Sequence, residues 1–136
     1  MTRAVALTAL ITLLLAGCGG DDDVGAANTA AAIDLKVTLW PNGESGDSIT
    51  WTLQCEPPGG DHPDPGAACA ALAAVADPFG PVAPPDRCEE IPGSDEDVAV
   101  VDGDYRGEQV HSRFTRANAC VSGRWDRIAP VFPTGS

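Results

Sequence analysis

From Ile33 the chain alternates. Ile33, Leu35, Val37 and Leu39 are separated by Asp34, Lys36 and Thr38, a period of two that predicts a strand with one apolar face. Pro41-Asn42-Gly43-Glu44-Ser45-Gly46 is rich in turn formers, and the alternation then resumes, with Ile49, Trp51, Leu53 and Cys55 on one face and Thr50, Thr52 and Gln54 on the other. Two alternating runs across such a turn predict an antiparallel hairpin. Pro57 to Pro65 reads as a loop by composition. Asp64-Pro65 then predicts a helix start, with Asp64 as N-cap and Pro65 at the first helical position. The Ala-rich stretch Ala67 to Ala76 favours helix. Cys69, Leu72 and Ala76 fall on one stripe, which lies against the sheet and brings Cys69 back towards Cys55.

Asp77 to Arg87 holds four prolines and no periodicity, so it reads as a second long loop, and loops of this kind are often functional. Val98 to Tyr105 is strand-like, with a bend or bulge expected at Asp102-Gly103. Arg106-Gly107 makes a turn into Gln109 to Thr115, where Val110, Ser112 and Phe114 face one way. Ile128 to Phe132 is expected to add a last strand. The fold class is α+β, an antiparallel sheet with one main helix packed on a face.

The part before Ile33 has a different character. Arg3 precedes the uncharged, mostly apolar run Ala4 to Ala16, too short to span a bilayer, which needs about 20 apolar residues, but suited to a signal-peptide core. The run ends in Leu15-Ala16-Gly17-Cys18, the pattern of a bacterial lipobox. Residues 1–17 are therefore expected to be cleaved, with Cys18 left as a lipidated N-terminus. Residues 18–32 carry Gly, Asp, Ala and Asn with only Val24 of any bulk, which predicts a flexible tether. Asp21 to Asp23 reads as solvated charge on that tether, not as a metal site. Residues 33–136 then form one domain of ordinary size.

Charge narrows the partners. With Arg3 removed, seven basic residues face 20 acidic ones, a net charge near −13, which argues against nucleic acid and anionic membrane surfaces. Four cysteines remain in the domain: Cys55, Cys69, Cys88 and Cys120. An even count in an exported chain predicts two disulfides, with three pairings open. Zinc is disfavoured, since neither a CxxC pair nor a paired His spacing is present. His62 and His111 do not make an enzyme of the chain, because no GxSxG nucleophile elbow accompanies them. His62 reads as structural and His111 as solvated. Trp51 alternates with core positions and is expected inside, while Trp40 and Trp125, at element ends, are expected to be partly exposed.

Several ordered motifs resemble a known family. Thr52-Leu53-Gln54-Cys55-Glu56-Pro57, Gly60-Asp61-His62-Pro63 and Ala67-Ala68-Cys69-Ala70-Ala71-Leu72 are similar to the T-L-x-C-x-P, G-T-H-P and A-C-A-x-L signatures of the Streptomyces subtilisin inhibitor (subtilisin inhibitor-like) family. Val101-Asp102-Gly103-Asp104-Tyr105-Arg106-Gly107 resembles its V-D-G-V-W-x-G, and Phe114 to Cys120 its F-x-N-E-C. The resemblance spans nearly the whole domain. It implies a five-stranded antiparallel sheet with two helices on one face, no cofactor, and the pairings Cys55–Cys69 and Cys88–Cys120. It also implies secretion, homodimers through the sheet, and inhibition of subtilisin-like and trypsin-like serine proteases. The inhibitory element implied is an exposed loop after the third domain cysteine, Cys88.

Mapped from Cys88, the reactive bond lies between Glu90 and Ile91, with Glu89 and Pro92 beside it and Asn118 supporting the loop. Here the chain departs from the family. An acidic Glu90 suits a protease with a basic pocket, such as a glutamyl endopeptidase, better than subtilisin or trypsin. Pro92 lacks the N–H that a residue in its place donates to the protease. The spacing from Cys88 to Asp102 is longer by about two residues than the family's, with Gly93 to Asp97 replacing Tyr-Asp-Pro. The rival reading is a non-inhibitory surface lipoprotein that keeps the fold as a binding or structural module. The lipobox reading makes a direct prediction: metabolic labelling with a tagged fatty acid marks the wild-type chain and not Cys18→Ala.

Overall fold

The computed structural model describes residues 32–82, 84, 88–90 and 97–134. The leader, Cys18 and the tether up to residue 31 lie outside the described residues. Both strands of the expected hairpin form: β1 spans Ile33–Trp40 and β2 spans Ile49–Cys55, antiparallel, with Leu35 opposite Leu53 and Val37 opposite Trp51. Of the polar partners of the alternation Asp34, Lys36, Thr50, Thr52 and Gln54 are exposed and Thr38 is half-buried, while Leu35, Val37, Leu39 and Leu53 are fully buried.

Two further strands, β3 (Val98–Tyr105) and β4 (Glu108–Thr115), complete a four-stranded antiparallel sheet in the order β2-β1-β3-β4. β1 therefore sits inside the sheet, paired on both edges, and Val37 lies between Trp51 and Val101. The β3–β4 connection is the two-residue turn Arg106-Gly107, with φ of 53° and 89°. Positive φ at both central residues is the twist-matched hairpin geometry, in which glycine carries no penalty.

The expected interruption at Asp102-Gly103 does not break the ladder, which runs without a slip from Ile33↔Tyr105 to Trp40↔Val98. The irregularity is confined to the Gly103 backbone. Its φ is +135°, and a Cβ there would lie 2.2 Å from the Asp34 carbonyl oxygen. Only glycine lets β3 approach β1 this closely.

Helix α1 spans Pro65–Ala74, capped as expected by Asp64, whose side chain accepts from the Ala67 N–H at 3.0 Å. It ends two residues before Ala76, where Val75 turns extended and its N–H bonds the Leu72 carbonyl. The buried stripe is consequently Ala68 and Leu72, and Ala76 is exposed. A second helix, α2, spans Ala119–Arg127. The expected last strand at Ile128 to Phe132 is instead a 3-10 turn, Ala129–Val131. Among the described residues the sheet thus has four strands, supplemented by isolated bridges at Gln54–Gly59 and Glu90–Asn118. An apolar run of five residues carries no period of its own, so packing decides its form.

Both helices and the 3-10 turn bury their apolar residues against the same sheet face, in one cluster that joins Leu35, Val37, Leu53, Val101 and Phe114 to Leu72, Trp125, Ile128 and Val131. Trp125, expected to be partly exposed, is 2 % exposed, because it falls on the inner side of α2. Trp51 is half-buried, its ring tilted against His62. Part of the proline-rich loop also belongs to the core: Phe79 sets its edge against Tyr105 and Phe114 at 5.0 and 6.2 Å. The segment after β2 is tied down by Asp61, which accepts from the Thr52 N–H and hydroxyl. Those two bonds hold its carboxyl below the ordinary range.

The Gly103 geometry sets the first test of the fold. Gly103→Ala combines a backbone clash with an unfavourable φ and is expected to cost about 2–3 kcal/mol, read as a lower urea midpoint at unchanged slope. An equivalent Ala at exposed Gly66, where the nearest atom lies 3.7 Å away, leaves the midpoint nearly unchanged.

Candidate functional site

Helix α2 starts from Asn118, which is extended (φ −145°, ψ 170°) and not yet helical. Its side-chain oxygen accepts from the N–H groups of both Cys120 and Val121 at 3.1 Å, and its carbonyl takes the first intrahelical bond, from Ser122. That leaves the Ala119 N–H. A helix cannot satisfy its own first donors, so such a group needs a partner from elsewhere. The Glu89 carbonyl supplies it, at 2.9 Å.

The start of the candidate loop is therefore fastened at three consecutive residues. Cys88 is joined to Cys120 by a disulfide. Glu89 accepts from Ala119, and Glu90 pairs with Asn118 as an isolated antiparallel bridge. Cys88 is half-buried while Glu89 and Glu90 are exposed, so the backbone is held and the two carboxylates face solvent. Ile91 and Pro92, and the inserted residues up to 96, lie outside the described residues. Of the expected reactive bond, only the Glu90 side is placed.

The platform under this loop is itself anchored. Trp125 and Ile128 bury the inner side of α2. Arg124 reaches from α2 to β4, donating to the Arg113 carbonyl at 2.9 Å and the Ser112 hydroxyl at 2.6 Å. Its guanidinium lies 4.0 Å from the centre of the Phe114 ring, an arrangement that a cation over an aromatic face favours. Burial, followed by the charge of Arg127, lowers the Arg124 pKa. Arg116 adds an ion pair to Asp126. By chain entropy the Cys88–Cys120 bond, closing a separation of 32 residues, contributes nearly 4 kcal/mol, by order of magnitude. The second disulfide, Cys55–Cys69, joins the end of β2 to α1 at the opposite edge of the sheet, on the same face.

The histidines take other roles. His62 is buried, its Nδ1 accepting from the Asp64 N–H and its Nε2 facing the Val131 carbonyl at 3.2 Å. This assigns the proton to Nε2 and makes the ring a bridge between the start of α1 and the C-terminal turn. His111 is exposed on the outer sheet face and pairs with Asp102. Ser112 points the other way, into the core, where Arg124 takes its hydroxyl. No serine joins the His111–Asp102 pair in a nucleophilic constellation among the described residues. These residues also contain no group of three or more His, Cys, Asp or Glu side chains placed to hold a metal ion.

The periodicity reading missed α2, although a signal was present: Asn118 as N-cap, Val121, Trp125 and Ile128 at helical spacing, and Arg124 and Arg127 in the last turn. Gly123 in the middle and the shortness of the helix obscure it.

A family model described as subtilisin inhibitor-like matches residues 29–118. The chain is 43% identical over 77 residues to subtilisin inhibitor-like protein 15 of Streptomyces bikiniensis, a match that covers 53% of this chain and 68% of that protein. Among solved structures it is similar to Streptomyces caespitosus sermetstatin, crystallised in complex with Bacillus licheniformis subtilisin. That likeness has 23% identity and a TM-score of 0.49, over 76% of this chain and 99% of the other.

The role of Asn118 is open to direct measurement. Asn118→Ala removes a cap and is expected to cost about 1 kcal/mol of stability, while Asn118→Asp, which keeps the acceptor, stays near wild type. Amide exchange at Ala119 should accelerate in Asn118→Ala more than exchange in β1 does, because the loop contact opens with the helix start.

Proposed function

The chain belongs to the subtilisin inhibitor-like family, and we propose that it is an extracytoplasmic serine-protease inhibitor acting through a substrate-like loop after Cys88. Members of this family are inhibitors and not enzymes, and they are generally secreted. One observation carries the proposal for this chain: the backbone of Cys88, Glu89 and Glu90 is fastened residue by residue to the start of α2, while the side chains of the two glutamates remain exposed.

Physics favours such a segment as an inhibitor. A loop already extended loses little ordering entropy when it docks into a protease cleft. The protease serine attacks the Glu90 carbonyl carbon and its oxyanion hole receives the oxygen. After cleavage, the Glu90 side stays held by the disulfide and by Ala119, so the severed ends remain close and resealing competes with release. In this reading Glu90 is the specificity residue and Ile91 follows the scissile bond. Pro92 withholds a backbone hydrogen bond from the protease, which weakens binding by about 1 kcal/mol or more. The anchor at Cys18 and the pairing of two copies through the outer sheet face belong to the same proposal.

An acidic Glu90 calls for a basic pocket, and a glutamyl endopeptidase supplies one. Inhibition kinetics against subtilisin, trypsin and a glutamyl endopeptidase should rank the glutamyl enzyme first. Glu90→Lys should shift inhibition towards trypsin, whose pocket carboxylate pairs with the new ammonium. Glu90→Met should shift it towards subtilisin by filling an apolar pocket. With both disulfides intact, no inhibition of any enzyme by the wild type or either variant would leave the fold as a binding or structural module.

A further inference from the structure

Arg106 stands in an unfavourable place. The β3–β4 turn holds it at φ 53°, a left-handed conformation that suits Gly, Asn or Asp and strains a longer side chain. Strain retained in a fold is a reason to ask what the side chain does there. Its guanidinium lies over the Tyr105 ring, 5.1 Å from the centre, and donates to no side chain or carbonyl among the described residues. The other described lysine and arginine side chains have polar partners. Lys36, Arg113 and Arg116 are in ion pairs, and Arg124 and Arg127 reach backbone carbonyls.

The surroundings of Arg106 include a cavity of about 410 Å³, between the β3–β4 hairpin and the segment that follows α1. That volume is in the range of small-molecule sites. Phe79 and Val110, both half-buried, give the cavity apolar walls, and Phe79 is fixed edge-on against Tyr105 at 5.0 Å. Arg106, Glu108 and Asp77 also line it, and all three are exposed. Glu108 forms no ion pair with Arg106, although only Gly107 separates them. The Asp77 carboxylate is turned to its own loop, so close to Gly80 that a Cβ there would lie 2.3 Å from it.

From this arrangement we infer that the cavity is a binding site for a free α-amino acid with an apolar side chain. Arg106 takes the carboxylate and Glu108 the ammonium, both as charge-assisted hydrogen bonds, while Phe79 and Val110 take the side chain. A ligand with a carboxylate alone is repelled by Glu108 and Asp77, and one with an ammonium alone is repelled by Arg106. Only a zwitterion matches both signs. The inference does not depend on the inhibitor reading, because the cavity lies at the Tyr105–Glu108 end of the hairpin and the fastened loop at the Val98–Thr115 end.

The test titrates the full chain with L-phenylalanine, 3-phenylpropanoate and 2-phenylethylamine, which share a ring and differ in their charged ends. Backbone amide resonances report binding. Saturable millimolar shifts at residues 77–80 and 105–110, with phenylalanine bound about ten-fold more tightly than either analogue, some 1.4 kcal/mol, support the inference. Arg106→Asn suits the turn better, so it should keep or raise the thermal midpoint while removing the preference over 2-phenylethylamine. Glu108→Gln should remove the preference over 3-phenylpropanoate instead. Absent or non-saturating shifts at these residues overturn the inference, as do equal affinities for the three molecules or unchanged phenylalanine binding in Arg106→Asn.

Discussion

A helix leaves its first N–H groups without partners inside itself, and in α2 that constraint is what connects the loop to the fold. Asn118 takes two of these donors with one side-chain oxygen. The third, on Ala119, takes the Glu89 carbonyl, and Cys120 in the same turn holds Cys88. One turn of helix thus completes its own hydrogen bonding by immobilising another segment. The arrangement holds only if α2 stays in place, which is the work of Trp125, Ile128 and the contact of Arg124 with β4.

The sheet below has one face to bury and little else with which to bury it. Both helices, the 3-10 turn and Phe79 gather on that face, and the opposite face keeps its polar residues in water. The core is correspondingly small, so two disulfides contributing about 3–4 kcal/mol each are a large share of the net stability of such a domain. They also divide the labour: Cys55–Cys69 holds α1 to the end of β2, and Cys88–Cys120 holds the loop to α2.

Charge acts on a different scale. Lys36, Arg113 and Arg116 are paired with Asp102, Glu44 and Asp126 at the surface, and Arg124 is turned inward over Phe114. Exposed pairs of this kind add little stability. Their consequence is that much of the positive charge is already matched locally, so the acidic excess, Glu89 and Glu90 included, dominates what an approaching surface meets.

The sequence by itself determined the features whose signals are local. A period of two gave β1 and β2 their inner faces, Asp64-Pro65 marked the start of α1, and Arg106-Gly107 marked the hairpin, because pleat, cap and turn geometry depend on neighbouring residues. The motifs around the four cysteines carried the family, and with it the pairing that the cysteine count had left open. Tertiary structure decided the rest. It put β1 inside the sheet, ended α1 before Ala76, made a 3-10 turn of the Ile128–Phe132 run, and drew Trp125 inward. The fastening of Glu89 to Ala119 belongs here too, since it joins residues 30 apart. In each of these cases the local preference is weak or divided, and the deciding energy comes from partners distant in the chain: the Val131 carbonyl that His62 faces, the apolar face that must be covered, and the helix donor that needs an acceptor.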